Sequence, residues 1–362
     1  MDNSFPKNNL TNEVFAYWIP RLVADGVDIN DILSVHSVAT NWPEWSKAWS
    51  EIGNRYYLLA KEMQSEGHDI SAGETLIRAS LAYHCSQIVA FHSQEDKKAM
   101  QALKAKTYQK AAPLLAPPLE RIEVSFKNHK IPGYLRLPRS LENLAACVLL
   151  VPGLDSTKED FHTIGDICVK RGLACFSFDG PGQGEFRQHL PLAEGYEECI
   201  QAIFDAISSH PKIDPLRIGT LGRSLGGYFV MRAAAKNPQI AATVVFGGAF
   251  DLEDFSTMPK MIRDGFCYAT GGKTDSEART LMGASSLIDC IDKVKKPVLI
   301  VHGKLDAIFN WKQAIKLSNS LPGVSTLVMD DNGVHCCHNN AFQYRTKMID
   351  WLANVLKKDQ GL

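Results

Sequence analysis

From Leu119 onward the chain repeats one pattern, a short apolar run of strand length followed by a segment long enough for a helix. The runs are Cys147 to Val151, Ala174 to Phe178, Arg217 to Leu221, Thr243 to Phe246, Val298 to Val301 and Thr326 to Met329. Apolar side chains at consecutive positions point to both faces of a sheet, so these strands must be covered on both sides. Alternation with helices supplies the cover and implies parallel strands joined by right-handed crossovers. Ahead of them, Glu120 to Phe126 alternates apolar and polar, Lys127 to Lys130 makes a turn and Ile131 to Leu137 returns, which predicts a β-hairpin. The expectation is an α/β fold with an eight-stranded, mostly parallel sheet whose first two strands are antiparallel.

The first 118 residues read differently. Trp45, Trp49, Ile52, Tyr56, Leu59 and Met63 recur at helical spacing, with Asn41 and Glu44 as a capping pair and Gly67 as a stop. A second helix is predicted from Ser71, with Glu74 at its capping-box position, through Leu76, Ile77, Leu81, His84, Ile88 and Phe91 towards His92. A third, alanine-rich and polar, runs from Glu95 to Ala112 before Pro113, Pro117 and Pro118 end the helical region. No 34-residue period marks a helical repeat array. The boundaries expected are a helical cap domain at 1-118 and a catalytic domain at 119-362.

The chemistry concentrates in Gly222-Arg223-Ser224-Leu225-Gly226, which follows one predicted strand and precedes a predicted helix. A serine in such a strained turn needs small neighbours two positions away on both sides. Its hydroxyl is protonated at neutral pH, so it requires a base, and the base requires an orienting carboxylate. In the chain order serine, acid, histidine, Asp306 follows the run Val298 to Val301, and His335 follows the last run. His302, at a strand end, reads as packed; His338 is the rival base, and Asp330 and Asp331 are rival acids that precede His335 on its own loop. An oxyanion needs donors, for which the backbone N–H groups of Leu225 and of Leu154, in Pro152-Gly153-Leu154-Asp155, are the candidates.

Other chemistries fit poorly. His335-Cys336-Cys337-His338 packs four candidate ligands too tightly in sequence to wrap one tetrahedral ion, so no metal is expected. Asp179-Gly180-Pro181-Gly182-Gln183-Gly184-Glu185 matches neither a Walker A loop nor a dinucleotide fingerprint and reads as structural, shaping a pocket rim with Glu185 behind it. A net charge of −1 leaves no bulk basicity for nucleic acid or anionic lipid, and no apolar stretch is long enough to span a membrane. Nine cysteines without a C-x-x-C pair, and no apolar leader within Met1 to Leu10, point to reduced thiols in the cytoplasm.

Several longer stretches resemble one family. They are Arg21 to Asp28, Ala72-Gly73-Glu74 with Arg78-Ala79-Ser80 and Tyr83-His84, Pro152 to Glu159, Asp179 to Glu185, Gly222 to Gly227, and His335 to Asn339. Together they resemble the helical-capped α/β-hydrolase family of 2,6-dihydroxypseudooxynicotine hydrolase and, more distantly, fungal polyketide chain-shortening hydrolases and the fermentation-respiration switch protein. The resemblance implies a homodimer without cofactor that hydrolyses a carbon–carbon bond beside a ketone in a small aromatic or β-keto substrate. It carries nucleophile, acid and base onto Ser224, Asp306 and His335. It also implies an acidic group after the sixth strand, where Asp251, Glu253 and Asp254 lie, Glu253 being the substrate-binding candidate; Ser256-Thr257-Met258 offers none. From the residues themselves, Trp45, Trp49, Tyr83 and His84 are candidates for a pocket wall; periodic aromatics on a helix more often pack, and His84 is the exception because a polar ring on an apolar face requires a partner. A carboxylesterase needs the same triad, whereas a non-catalytic regulatory protein would have no use for a strained serine turn.

Overall fold

The computed structural model describes residues 18–357 except 142, 194 and 283–284; the leader reading of Met1 to Leu10 lies outside them. The chain divides into two compact units, Met1–Pro118 and Leu119–Leu362.

The first unit is helical. Its helices are α1 (Ile19–Ala24), α2 (Ile29–Val38), α3 (Trp42–Ser65), α4 (Asp69–Ile88) and α5 (Gln94–Ala111). The short α1 and α2 lack the length for a periodic signal; α2 is marked instead by Asp28, whose side chain accepts from the Asn30 N–H at 2.8 Å. Asn41 caps α3 through the Glu44 N–H, but the Glu44 carboxylate turns back to the N–H and hydroxyl of Thr40 rather than to Asn41. The predicted cap at Ser71 and Glu74 does not form. The chain reverses at Gly67, with φ +81°, and α4 starts two residues early, placing Asp69 in the first turn where the helix dipole favours a carboxylate. Polar bonds clamp α3 to α4: Trp45 Nε1 donates to the Cys85 carbonyl, while Ser46 and Ser86 each donate to the other's backbone carbonyl.

The second unit contains the strands β1 (Glu120–Phe126), β2 (His129–Arg136), β3 (Ala145–Val151), β4 (Ala174–Phe178), β5 (Ile213–Arg223), β6 (Thr243–Phe246), β7 (Val298–Gly303) and β8 (Ser325–Asp330). Among the described residues they form one sheet in the order β1-β2-β4-β3-β5-β6-β7-β8. β1 and β2 pair antiparallel, as do β2 and β4, and the rest are parallel. The hairpin turn is tighter than the four residues expected, because Lys127 takes a left-handed φ of 51° and lets β2 begin at His129. Helices α6 (His162–Val169), α7 (Tyr196–Ser208), α8 (Leu225–Lys236), α9 (Lys260–Thr270), α10 (Asp275–Leu281), α11 (Lys312–Asn319) and α12 (Ala341–Val355) follow or separate the later strands. Successive residues of β3 serve opposite cores: Leu149 joins Ile203 of α7 and Phe229 of α8, while Val148 and Leu150 join Ile164 of α6 and Met348 of α12. The eight-stranded α/β-hydrolase sheet preceded by a helical region is thus present. No described helix is long and apolar enough to cross a membrane.

Candidate active site

β5, β7 and β8 run parallel within four consecutive positions of the sheet, so the loops leaving their C-terminal ends emerge on one edge. Ser224 follows β5 directly and sits at φ 57°, ψ −126°, a costly conformation for any side chain with a Cβ. Its N–H is held by the Phe246 carbonyl of β6 at 2.8 Å. The flanking glycines explain how the turn closes. A Cβ on Gly222 would stand 2.2 Å from the Gly226 carbonyl oxygen, and one on Gly226 would stand 2.3 Å from that of Val151.

His335 joins the two remaining candidates. Its Nε2 lies 2.8 Å from Ser224 Oγ and its Nδ1 lies 2.7 Å from Asp306 Oδ2. The other carboxylate oxygen accepts the N–H groups of Ile308 and Phe309 at 2.8 and 2.9 Å, which fixes the plane of Asp306. When the ring is neutral and Asp306 ionised, Nδ1 of His335 carries the proton and Nε2 presents its lone pair to the serine. Burial opposes charge on this histidine, but the Asp306 carboxylate and the neighbouring Cys336 sulfur outweigh it and hold the imidazolium pKa well above its ordinary value. Burial likewise raises Asp306, and His335 more than offsets this, so the acid stays ionised.

The rivals have other partners. His302 donates from Nε2 to the Phe309 carbonyl at 2.9 Å, and burial lowers its pKa, so it remains a neutral packed ring. His338 packs edge-on against Phe246 and lies beside Arg345. Asp330 holds the Asn332 N–H and the Asn340 amide, while Asp331 pairs with Lys304. Within His335 to His338, Cys336 Sγ donates to the Phe246 carbonyl at 3.2 Å and lies 3.5 Å from His335 Nε2, while Cys337 Sγ sits near Gly333.

The loop after β3 abuts the serine. A Cβ on Gly153 would lie 3.0 Å from Ser224 Cβ and 3.5 Å from its Oγ, so glycine permits the Gly153–Leu154 peptide to approach. Leu225 opens α8 immediately after Ser224, where first-turn N–H groups have no partner within the helix. The remaining three candidates have surroundings of their own. Tyr83 and His84 belong to α4 in the helical unit: the Tyr83 ring fills the space above Gly53 and its hydroxyl donates to Asn54, while His84 is buried beside Gln87. Glu253 is an exposed carboxylate 3.9 Å from Lys316; Asp251 is the buried acid of this segment, tied to Gln313 and Lys316.

The sequence reading passed over Lys158. Its ammonium is fully buried, 2.6 Å from each of Glu159, Asp179 and Glu185. Those three carboxylates come within 4.8 Å of one another, a spacing that suits a cation, and Lys158 provides the charge. Burial opposes its ionisation, yet Asp179, Glu159 and Glu185 together raise its pKa. The signal was the lysine between polar residues in a stretch that had to turn inward after a buried strand.

The chain is similar to proteins already known. The model of a family described as Esterase FrsA-like matches residues 30–293. A 2,6-dihydropseudooxynicotine hydrolase of Paenarthrobacter nicotinovorans is 34% identical over 340 residues, covering 93% of this chain and 91% of that protein. The crystal structure of a 2,6-dihydroxy-pseudo-oxynicotine hydrolase superposes with a TM-score of 0.87 at 32% identity, over 95% of this chain and 97% of the other. A 20-hydroxy-prefusarin hydrolase of Gibberella moniliformis is 31% identical over 242 residues, 61% of this chain and 56% of its own length.

Proposed function

We propose, from the premise that this chain belongs to the Esterase FrsA-like family, that it is a serine hydrolase cleaving a carbon–carbon bond next to a ketone. The observation that carries the serine mechanism is His335, placed between Ser224 and Asp306 at 2.8 and 2.7 Å. The choice of bond rests on similarity along nearly the whole chain to a hydrolase named for a pseudooxynicotine.

The geometry supports the following steps. Ser224 Oγ attacks the ketone carbon as His335 Nε2 takes its proton, and the N–H groups of Leu154 and Leu225 receive the oxyanion. Collapse breaks the bond to the neighbouring carbon, whose electron pair takes the proton from the imidazolium. That carbon must be stabilised as an enol or an electron-rich ring. Water then adds to the acyl-serine with His335 again as base, releasing a carboxylic acid and free Ser224. The sum is ketone plus water giving acid plus the protonated leaving group. Substrate contacts by His84 and Tyr83, from their place on an apolar helix face, and by Glu253, from the resemblance, belong to the proposal. So does a homodimer, for which sedimentation velocity is the test. A cytoplasmic setting accords with nine unpaired thiols.

An ester demands less of the same groups, because an alkoxide leaves more readily than a carbanion, and the family's description favours this second reading. Wild type and Ser224→Ala, screened against aryl esters and against aryl ketones or β-diketones with product masses recorded, separate the two. Carbon–carbon cleavage that vanishes in the mutant supports the first reading; ester cleavage alone moves the protein to the esterases. Turnover that survives in Ser224→Ala removes the serine mechanism.

A further inference from the structure

We infer that Gln183 is a positioning residue that aims the Leu154 N–H at the developing oxyanion by holding the Gly153 carbonyl from behind. The inference rests on Ser224 being the nucleophile and adds a group outside the triad, from the glycine-rich loop after β4.

The Gln183 carboxamide is buried, and all its hydrogen-bonding capacity is engaged. Its Nε2 donates to the carbonyls of Pro152 at 2.9 Å and Gly153 at 2.7 Å. Its Oε1 accepts the Gly180 N–H at 3.1 Å and the Tyr196 hydroxyl. Two carbonyls on one side and two donors on the other allow one orientation of the amide. A trans peptide is planar, with its C=O and N–H directed oppositely. Gripping the Gly153 carbonyl therefore turns the Leu154 N–H away from Gln183. Ser224 is adjacent to this peptide, since a Cβ on Gly153 would stand 3.5 Å from Oγ.

The far end of the same loop is also fastened by residues following β4. Asp179 Oδ1 accepts the Lys158 N–H at 2.8 Å, and its Oδ2 accepts Lys158 Nζ at 2.6 Å and the Glu185 N–H at 3.0 Å. Two glycines are necessary for this brace. A Cβ on Gly180 would lie 2.1 Å from the Tyr196 oxygen, and one on Gly184 would lie 2.0 Å from Asp179 Oδ2. Residues 179–185 thus do more than shape a rim: they hold the loop after β3 at both ends.

The test uses an alkyl fluorophosphonate, whose attack by Ser224 also builds negative charge on an oxygen, with the modified peptide identified by mass spectrometry. Gln183→Met keeps length and bulk while removing all four bonds. Its maximal phosphonylation rate should fall about 10- to 100-fold. The concentration giving half-maximal rate should stay within about twofold, since ground-state binding is unchanged, and the pH midpoint set by His335 should not move. Tyr196→Phe removes only the hydroxyl that orients Oε1 and should slow the reaction about threefold, a fraction of the effect of a lost donor. Wild-type rates in Gln183→Met overturn the inference, as does a loss accompanied by a displaced pH midpoint, which would mean general loosening of the site. Should Gln183→Met not fold, wild-type rates in Tyr196→Phe overturn it instead. Absence of labelling at Ser224 in the unmodified protein would remove the nucleophile reading itself, before any variant is compared.

Discussion

The turn carrying Ser224 and the loop carrying His335 both hold side chains in left-handed backbone, but they recruit glycine differently. Ser224 has φ 57°, while in the second loop Cys336 has φ 51° and Cys337 φ 44°. Around Ser224 the space comes from glycines two positions away in sequence, Gly222 and Gly226. Around His335 it comes mostly from afar: a Cβ on Gly247 would lie 2.7 Å from Cys336 Sγ, and one on Gly303 would lie 2.1 Å from the Gly333 carbonyl oxygen. The first turn therefore carries glycines of its own, with Gly153 of the loop after β3 helping from afar, whereas the second is propped mainly by glycines at the ends of β6 and β7. A strained segment leaves a readable motif when the residues that accommodate it are local.

The comparison breaks most decisively at the reacting groups. Ser224→Ala and His335→Ala should each lower kcat by about 10⁶-fold, because such groups act as a unit, with denaturant midpoints close to wild type. His338→Ala should lower it far less; equal losses at 335 and 338 would show that the second loop had been assigned the wrong base.

Next come the glycines. Gly226→Ala should cost about 3 kcal/mol of stability, as backbone on both sides must move, measured by urea unfolding. Gly247→Ala should cost about 1–3 kcal/mol and also slow Ser224 phosphonylation, since Cys336 moves and carries His335 with it. Wild-type reactivity in Gly247→Ala would end the claim that the second loop is propped remotely.

The pH profile sharpens the comparison further, because it reports only on the second loop. His335 has a raised pKa, so it is protonated and inactive as a base at low pH. The rate constant should rise with pH through a midpoint above 6.5, the ordinary value for a histidine; a midpoint below that would contradict the pairing with Asp306. The smallest effect is expected from Ser224→Gly, which relieves backbone strain and should stabilise the inactive protein by about 1 kcal/mol, again by urea unfolding. No gain would mean that the surrounding turn, rather than the serine, sets the conformation.

What was legible follows the same division. The strands were visible because fully buried runs such as Cys147 to Val151 have no polar alternation, and the Ser224 turn was visible because its glycines are neighbours in sequence. Helices α1 and α2 were missed because six and ten residues give too few turns for a period to emerge. The cap at Ser71 misled because Gly67 reverses the chain earlier, a backbone event that outranks a side-chain match. The roles of Lys158 and Gln183 were hidden for a different reason: their partners lie 21 and 31 residues away, at Asp179 and Pro152.

Arg223, the residue between Gly222 and Ser224, is buried, stacks over Phe161 with 4.8 Å from guanidinium carbon to ring centroid, and bonds Ser156 while facing Asp160 at 3.5 Å. Within the G-x-S-x-G pattern its position is nominally variable, yet here it is matched to three residues some 65 positions upstream. The contacts couple Arg223 to these companions, so we expect it not to drift alone in the descent of such proteins. A lineage that replaces it is expected to alter Ser156, Asp160 and Phe161 as well, and sequences that share the arginine should share its three companions as an inherited set.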